Sequence, residues 1–238
     1  MAGFVVAEGD VAEAARDGDT ARVRATIGRA EGCERLEQRI VRFAPGRSQA
    51  QSLDDRQGLL YVAAGSGRLH VAGVAYELAP WTGVYLGVGE SFEVENPGPD
   101  DVLLVLVTAP QERSVAPPNG RIVRWHERPS LPASPNREFR YLVDQDVGCH
   151  DVTQFVGVIP PGKSPFHSHT YDEVLYVLAG DGVLHLDGRE TPISAGTCMH
   201  LPPLVEHCLE NTGSADMQVL GVFHPAGDPA SRAYEAPA

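Results

Sequence analysis

LLYVAAGSGRLHVAG (59–73) and VLYVLAGDGVLHLDG (174–188) are one stretch written twice, 115 positions apart. The likeness runs without a gap from 58–108 to 173–223, with 16 identities in 51 positions. They include Tyr61 with Tyr176, Gly65 with Gly180, His70 with His185 and Asn96 with Asn211. Upstream, a shift of 116 lays Gly32-Cys33 on Gly148-Cys149 and Pro45-Gly46 on Pro161-Gly162, so one residue is gained or lost in the loop between. A repeat this long is a duplicated domain, not the short unit of a solenoid. Each copy reads as strand throughout: runs such as GLLYV, RLHVAG, TQFVGVI and EVLYVLA alternate or stay apolar, bounded by Gly, Pro, Asp and Asn. Asp187-Gly188, between VLHL and TPI, is a hairpin turn signal of the I′ kind. Short strands at intervals of roughly ten residues predict an all-β fold of two tandem jelly-roll barrels. The first barrel is expected over 1–115 and the second over 137–238. Between them, the proline-rich 116–136 is expected to be a linker and an arm crossing from one barrel to the other. DVAEAARDG (10–18) has a helix-like pattern.

The chemistry is concentrated in the second copy. His167-Ser168-His169-Thr170-Tyr171-Asp172-Glu173, then Gly180, then His207 and Asn211, reads as H-x-H-x3-E-x6-G followed by H-x3-N. Two histidines two apart share one face of a strand. Three imidazole nitrogens and a carboxylate form a donor set suited to a divalent transition metal. In the first copy Glu173 becomes Gly58 and His207 becomes Phe92. His167 and His169 fall on Ser52 and Asp54 under one shift, or on Gln51 and Leu53 under the other. Neither register supplies an imidazole, so the first barrel is expected to be structural and the second to hold one divalent metal per chain.

This two-part motif resembles that of the cupins, and the repeat resembles the two-domain members of that family. The resemblance covers roughly 22–226, with specific motifs in the second copy and degenerate ones in the first. One departure is that Gly162 stands five before the first histidine, where the family's glycine usually stands six before it. The resemblance implies small β-barrels with one metal inside, held here by His167, His169, Glu173 and His207. Fe(II) or Mn(II) is the expected ion, with Ni, Co or Zn as alternatives. Four protein donors leave two positions of an octahedral ion for substrate, or for substrate and O2 together. A dioxygenase-type oxidoreductase acting on a small enolisable or chelating molecule is therefore expected. A redox-neutral isomerase, lyase or cyclase, and a non-catalytic small-molecule binder, stand as alternatives. Glu173 is a candidate base. Gln154, Tyr171, His200 and His224 are candidates for the outer partners that metal-bound imidazoles require.

Other features read more plainly. His70 and His185, matched in the repeat although only one copy has the donor set, are expected to be structural. Cys33 and Cys149, also matched, are expected to be small buried hydrophobes, and Cys198 and Cys208 to be cross-strand neighbours. A net charge of -13 over 238 residues argues against nucleic acid or an anionic membrane as partner. No apolar run approaches membrane-spanning length, and the start lacks the pattern of a secretory signal. A cytoplasmic protein with reduced thiols is expected, taking a small-molecule substrate, with a homodimer as a possible assembly.

Overall fold

The computed structural model describes residues 3–113, 120–134 and 136–231. Two seven-stranded antiparallel sheets form its centre, and the duplication is visible in their matching orders. The first runs Ile122–Arg124, Thr82–Leu86, Arg56–Ala64, Val102–Pro110, Glu37–Phe43, Ala21–Ile27 and Ala14–Ala15. The second runs Phe4–Ala7, Thr197–Leu201, Asp172–Ala179, Met217–His224, Thr153–Ile159, Arg137–Val143 and Leu131–Ser134. Behind each lies a smaller sheet, which in the second copy runs Gly162–Lys163, His207–Asn211, Asp181–Leu186 and Arg189–Ser194. Each large sheet and its small one enclose an apolar core: Leu60, Leu69 and Phe92 in the first barrel, Leu175, Leu184 and Phe223 in the second. The fold is therefore all-β, with two tandem jelly-roll barrels.

The large sheets face each other. Alternation along a strand sends one set of side chains into the barrel and the other set toward the neighbouring barrel. On Asp172–Ala179, Leu175 and Val177 face the barrel core, while Val174 and Tyr176 join a third apolar cluster. That cluster mixes both copies: Leu59, Tyr61 and Val105 with Val156, Val174 and Val222. Both barrels also give up an edge strand. Phe4–Ala7 pairs with Thr197–Leu201 of the second barrel, and Ile122–Arg124 pairs with Thr82–Leu86 of the first. Each of these edges is thus extended by a short strand that precedes the other barrel, which leaves only four or three residues at the new edge. Of the 116–136 segment, 116–119 and 135 lie outside the described residues.

Most motif residues shared by the copies do fold work. Asn211 donates from Nδ2 to the carbonyls of Ile159 and Ala215, both at 2.8 Å, and accepts from Gly213 N–H at 2.9 Å. Asn96 makes the matching bonds to Phe43, Asp100 and Gly98 at 2.8, 2.9 and 2.8 Å. Gly180 has φ +92°, and a Cβ there would stand 2.8 Å from the Met217 Cα, so glycine is required by conformation and by space. His70 Nε2 meets Glu95 at 2.9 Å and His185 Nε2 meets Glu210 at 2.8 Å, the same cross-strand pair in each copy. Asp187 and Gly188 both have positive φ, as the I′ turn demands.

Two expectations fail. The 10–18 patch contains no α-helix. Glu8–Asp10 is a single 3₁₀ turn and Ala14–Ala15 an edge strand, because Arg24 draws in the Glu8 and Val11 carbonyls and so holds this segment against the sheet. Cys198 and Cys208 are not neighbours. Cys198 lies on the large sheet opposite Val6 and Tyr176, whereas Cys208 lies on the small sheet opposite His185.

In the first barrel Gln51 pairs with Phe92 in the same way that His167 bridges His207, which selects the 116 register. The four ligand positions there are Gln51, Leu53, Gly58 and Phe92. The Leu53 side chain fills the space in front of Gly58, where a Cβ would stand 2.8 Å from it. Phe92→Ala is expected to cost about 3–5 kcal/mol of stability, by leaving a void among Leu53, Leu60 and Leu69. A denaturant titration checks this, and metal content should stay unchanged.

Candidate metal centre

His167 and His207 are set by backbone. The His167 N–H donates to the His207 carbonyl at 3.0 Å and the His207 N–H returns the bond at 2.8 Å. His169 is fixed two residues further on, where its carbonyl accepts from the Leu204 N–H at 2.7 Å. Glu173 projects from the large sheet, opposite Leu201 on one side and Phe223 on the other. The donor nitrogens of His167, His169 and His207 lie within 4.8 Å of one another. One carboxylate oxygen of Glu173 is 3.9 Å from Nε2 of His169 and 3.9 Å from Nε2 of His207. His169, Glu173 and His207 are buried, and His167 is half-buried.

The outer hydrogen bonds orient the rings. His167 Nδ1 lies 3.1 Å from the Pro165 carbonyl and His207 Nδ1 lies 3.0 Å from the Val205 carbonyl. A carbonyl only accepts, so in the neutral rings Nδ1 carries the proton and Nε2 keeps its lone pair. His169 Nδ1 lies 3.0 Å from the Tyr171 hydroxyl, whose own proton goes to the Asp228 carbonyl at 2.8 Å. The hydroxyl must therefore accept from His169, which gives the same tautomer a third time. Three lone pairs converge on one point beside a buried carboxylate. Burial pushes the Glu173 carboxyl up to about 8. Burial, with His167 close by, pulls His207 down to about 4. The protein thus disfavours a bare anion and a bare imidazolium here, and a divalent cation satisfies both requirements. The residues fit such an ion.

Tyr171→Phe is expected to lower Mn(II) affinity about 10–100-fold by removing the acceptor that fixes His169. Competition with a chromophoric chelator measures it, and the unfolding transition should move little.

The other proposed partners stand elsewhere. Gln154, His200 and His224 project from the opposite face of the same sheet, toward the first barrel. Strand alternation decides this: Gln154 is opposite Val222, His200 opposite Val174 and His224 opposite Asp172, all one step out of phase with Glu173. What sequence reasoning missed is the wall of the site. A cavity of about 100 Å³ opens over the four donors, lined mainly by Phe139, Phe155, Leu175, Leu201, Leu209 and Phe223. Arg137, Glu138 and Ser134 contribute its polar part. Arg137 also donates to the Leu209 carbonyl at 3.1 Å. The apolar alternation of these strands marked them as core, and nothing in it distinguished cavity wall from packed interior.

Residues 155–223 match the Cupin_2 family, described as a cupin domain. The chain carries a cupin domain. That segment contains all four converging donors. Among curated proteins, an oxalate-binding protein from Thermotoga maritima is 39% identical over 67 residues, which is 27% of this chain and 55% of that protein. Auxin-binding protein 1 from Arabidopsis thaliana is 36% identical over 86 residues, covering 32% and 43% of the two chains. The chain thus spans about half the length of the curated relatives it matches. Among solved structures, a glyoxylate-induced protein from Pseudomonas aeruginosa superposes with TM-score 0.80, covering 93% of this chain and 88% of that one at 22% identity. An oxalate decarboxylase superposes at 0.75 over 94% and 77% of the two chains, with 14% identity. These likenesses show the fold alone, over both barrels. Among the described residues no helix is long and apolar enough to cross a membrane.

Proposed function

We propose that this cupin is a metal-dependent enzyme. His167, His169, Glu173 and His207 of the second barrel would hold one Fe(II) or Mn(II), and a small chelating organic acid or enol would bind directly to it. The first barrel would serve as scaffold. The observation that carries the reading is the convergence of three oriented Nε2 lone pairs and a buried carboxylate on the floor of an apolar cavity. When bound, the ion supplies Lewis acidity, and with a redox-active metal a route for electrons between substrate and O2. The chain's own residues do the rest. The phenylalanine and leucine walls keep bulk water away, and the volume of about 100 Å³ suits a small molecule. A bidentate oxygen chelator of the size of oxalate matches that volume, in keeping with the name of the Thermotoga maritima relative. The apolar part of the walls, which keeps bulk water from a metal-bound substrate and O2, favours dioxygenase-type oxidation.

A second reading, redox-neutral decarboxylation or isomerisation, draws on Arg137 and Glu138 in the lining, with Glu173 as proton acceptor. The test is a panel of oxalate, α-hydroxy acids and 1,2-dicarbonyls offered to the Fe(II)- and Mn(II)-loaded protein under air and under nitrogen. Oxygen uptake coupled to substrate loss is expected. Equal turnover under nitrogen would move the assignment to the second reading. Binding without turnover in either gas would make the protein a carrier.

A further inference from the structure

On the face of the second large sheet that looks toward the first barrel, Asp172 and His200 meet Cys33, which comes from the other copy. Their ligand atoms all lie within 4.8 Å of one another, all three residues are buried, and Asp172 Oδ1 is 3.0 Å from His200 Nε2. The pseudo-symmetry of the chain supplies a control inside the same molecule. The repeat places Gln57 on Asp172, Tyr85 on His200, Ala109 on His224 and Cys149 on Cys33. In that twin every polar group is satisfied by neutral hydrogen bonds. Tyr85 donates to Gln57 Oε1 at 3.0 Å, Cys149 donates to it at 3.5 Å, and Gln57 Nε2 donates to the Pro110 carbonyl at 2.8 Å.

The second copy replaces the amide, the phenol and the methyl by a carboxylate and two imidazoles, and hydrogen bonds do not then account for the set. His200 Nδ1 and both ring nitrogens of His224 are buried with no partner. His224 is 4% exposed and stands directly opposite Asp172 on the adjoining strand, as Ala109 stands opposite Gln57. Buried polar groups without partners are rare and costly, and one cation at the Cys–Asp–His cluster would take a lone pair from His200 and one from His224.

We propose that Cys33, Asp172 and His200 form a second metal site that binds Zn(II) between the barrels, with His224 as the fourth donor. The site is independent of the function proposed above and raises the metal count from one to two. Thiolate, imidazole and carboxylate are zinc donors, and the thiolate with Asp172 neutralises the dication in a buried place. With Zn–N near 2.1 Å and Zn–S near 2.3 Å, tetrahedral ligand atoms stand about 3.4–3.8 Å apart, so Cys33, Asp172 and His200 need only small side-chain rotations to close, while His224, outside that set, must turn in from the adjoining strand. The ion would join the first barrel, through Cys33, to the second, and so act as a structural clamp.

Co(II) alone is the probe that tests it. The barrel site has no thiolate, so only the interbarrel site can give a thiolate-to-cobalt charge-transfer band in the near ultraviolet. Metal-stripped protein titrated with Co(II) should develop this band in the wild type and equally in His169→Ala. It should be lost in Cys33→Ser and kept in Cys149→Ser. No band at saturating Co(II), or a band that survives Cys33→Ser, overturns the proposal. If Cys33→Ser fails to fold, X-ray absorption of Zn(II)-loaded His169→Ala decides the matter. One sulfur with nitrogen and oxygen neighbours supports the site, and a shell of nitrogen and oxygen alone overturns it.

Discussion

His169→Ala is expected to take the Mn(II) held by the chain from about one equivalent to near zero, and turnover with it. Mn(II) is the discriminating ion because it prefers nitrogen and oxygen donors, so it reports on the barrel site and not on a site containing a thiolate. The magnitude follows from the geometry. His169 is buried, its Nε2 faces Glu173, and its far nitrogen is tied through Tyr171 to the Asp228 carbonyl. Removing it deletes a donor and strands that chain of bonds, so the loss should exceed the 10–100-fold expected for an outer partner. The barrel should nonetheless stay folded, because Phe155, Leu175, Leu184 and Phe223 form its core without the metal. Near-normal Mn(II) content in a folded His169→Ala protein would contradict the assignment.

Deleting residues 1–7 is expected to be strongly destabilising. The strand Phe4–Ala7 caps Thr197–Leu201 in register from Phe4 opposite His200 to Ala7 opposite Thr197. Phe4 and Val6 also pack on the cluster between the barrels. Losing these backbone pairs and their apolar contacts should cost on the order of 4 kcal/mol and leave an open edge prone to association. Denaturant unfolding and light scattering would report both effects. A truncated protein as stable and as monodisperse as the full chain would show the exchanged strand to be decorative.

The sequence made the duplication, the strand content and the four converging donors legible, because each leaves a periodic or fixed-spacing trace. Gly180 and Asn211 carried a mixed signal: they belong to the motif, yet Gly65 and Asn96 keep the same backbone role in a barrel without ligands. The exchange of Phe4–Ala7 and Ile122–Arg124 was not legible, since a strand's sequence says which faces are apolar and not which edge it joins. The same limit misplaced His200, His224 and Gln154. Their distance along the chain from the donors was short enough, but strand parity turns them to the other face. Tyr171 escaped that fate because it precedes the strand, in the turn that carries His169, and so reaches the barrel interior.

Mn(II) is expected in the second barrel and not in its twin. Anomalous diffraction at the manganese edge, from crystals grown with Mn(II), tests it directly. One strong peak is expected, bounded by Nε2 of His167, His169 and His207 and the carboxylate of Glu173, with nothing near Gln51, Leu53, Gly58 and Phe92. A peak in the first barrel, or an empty second barrel at saturating Mn(II), would contradict it.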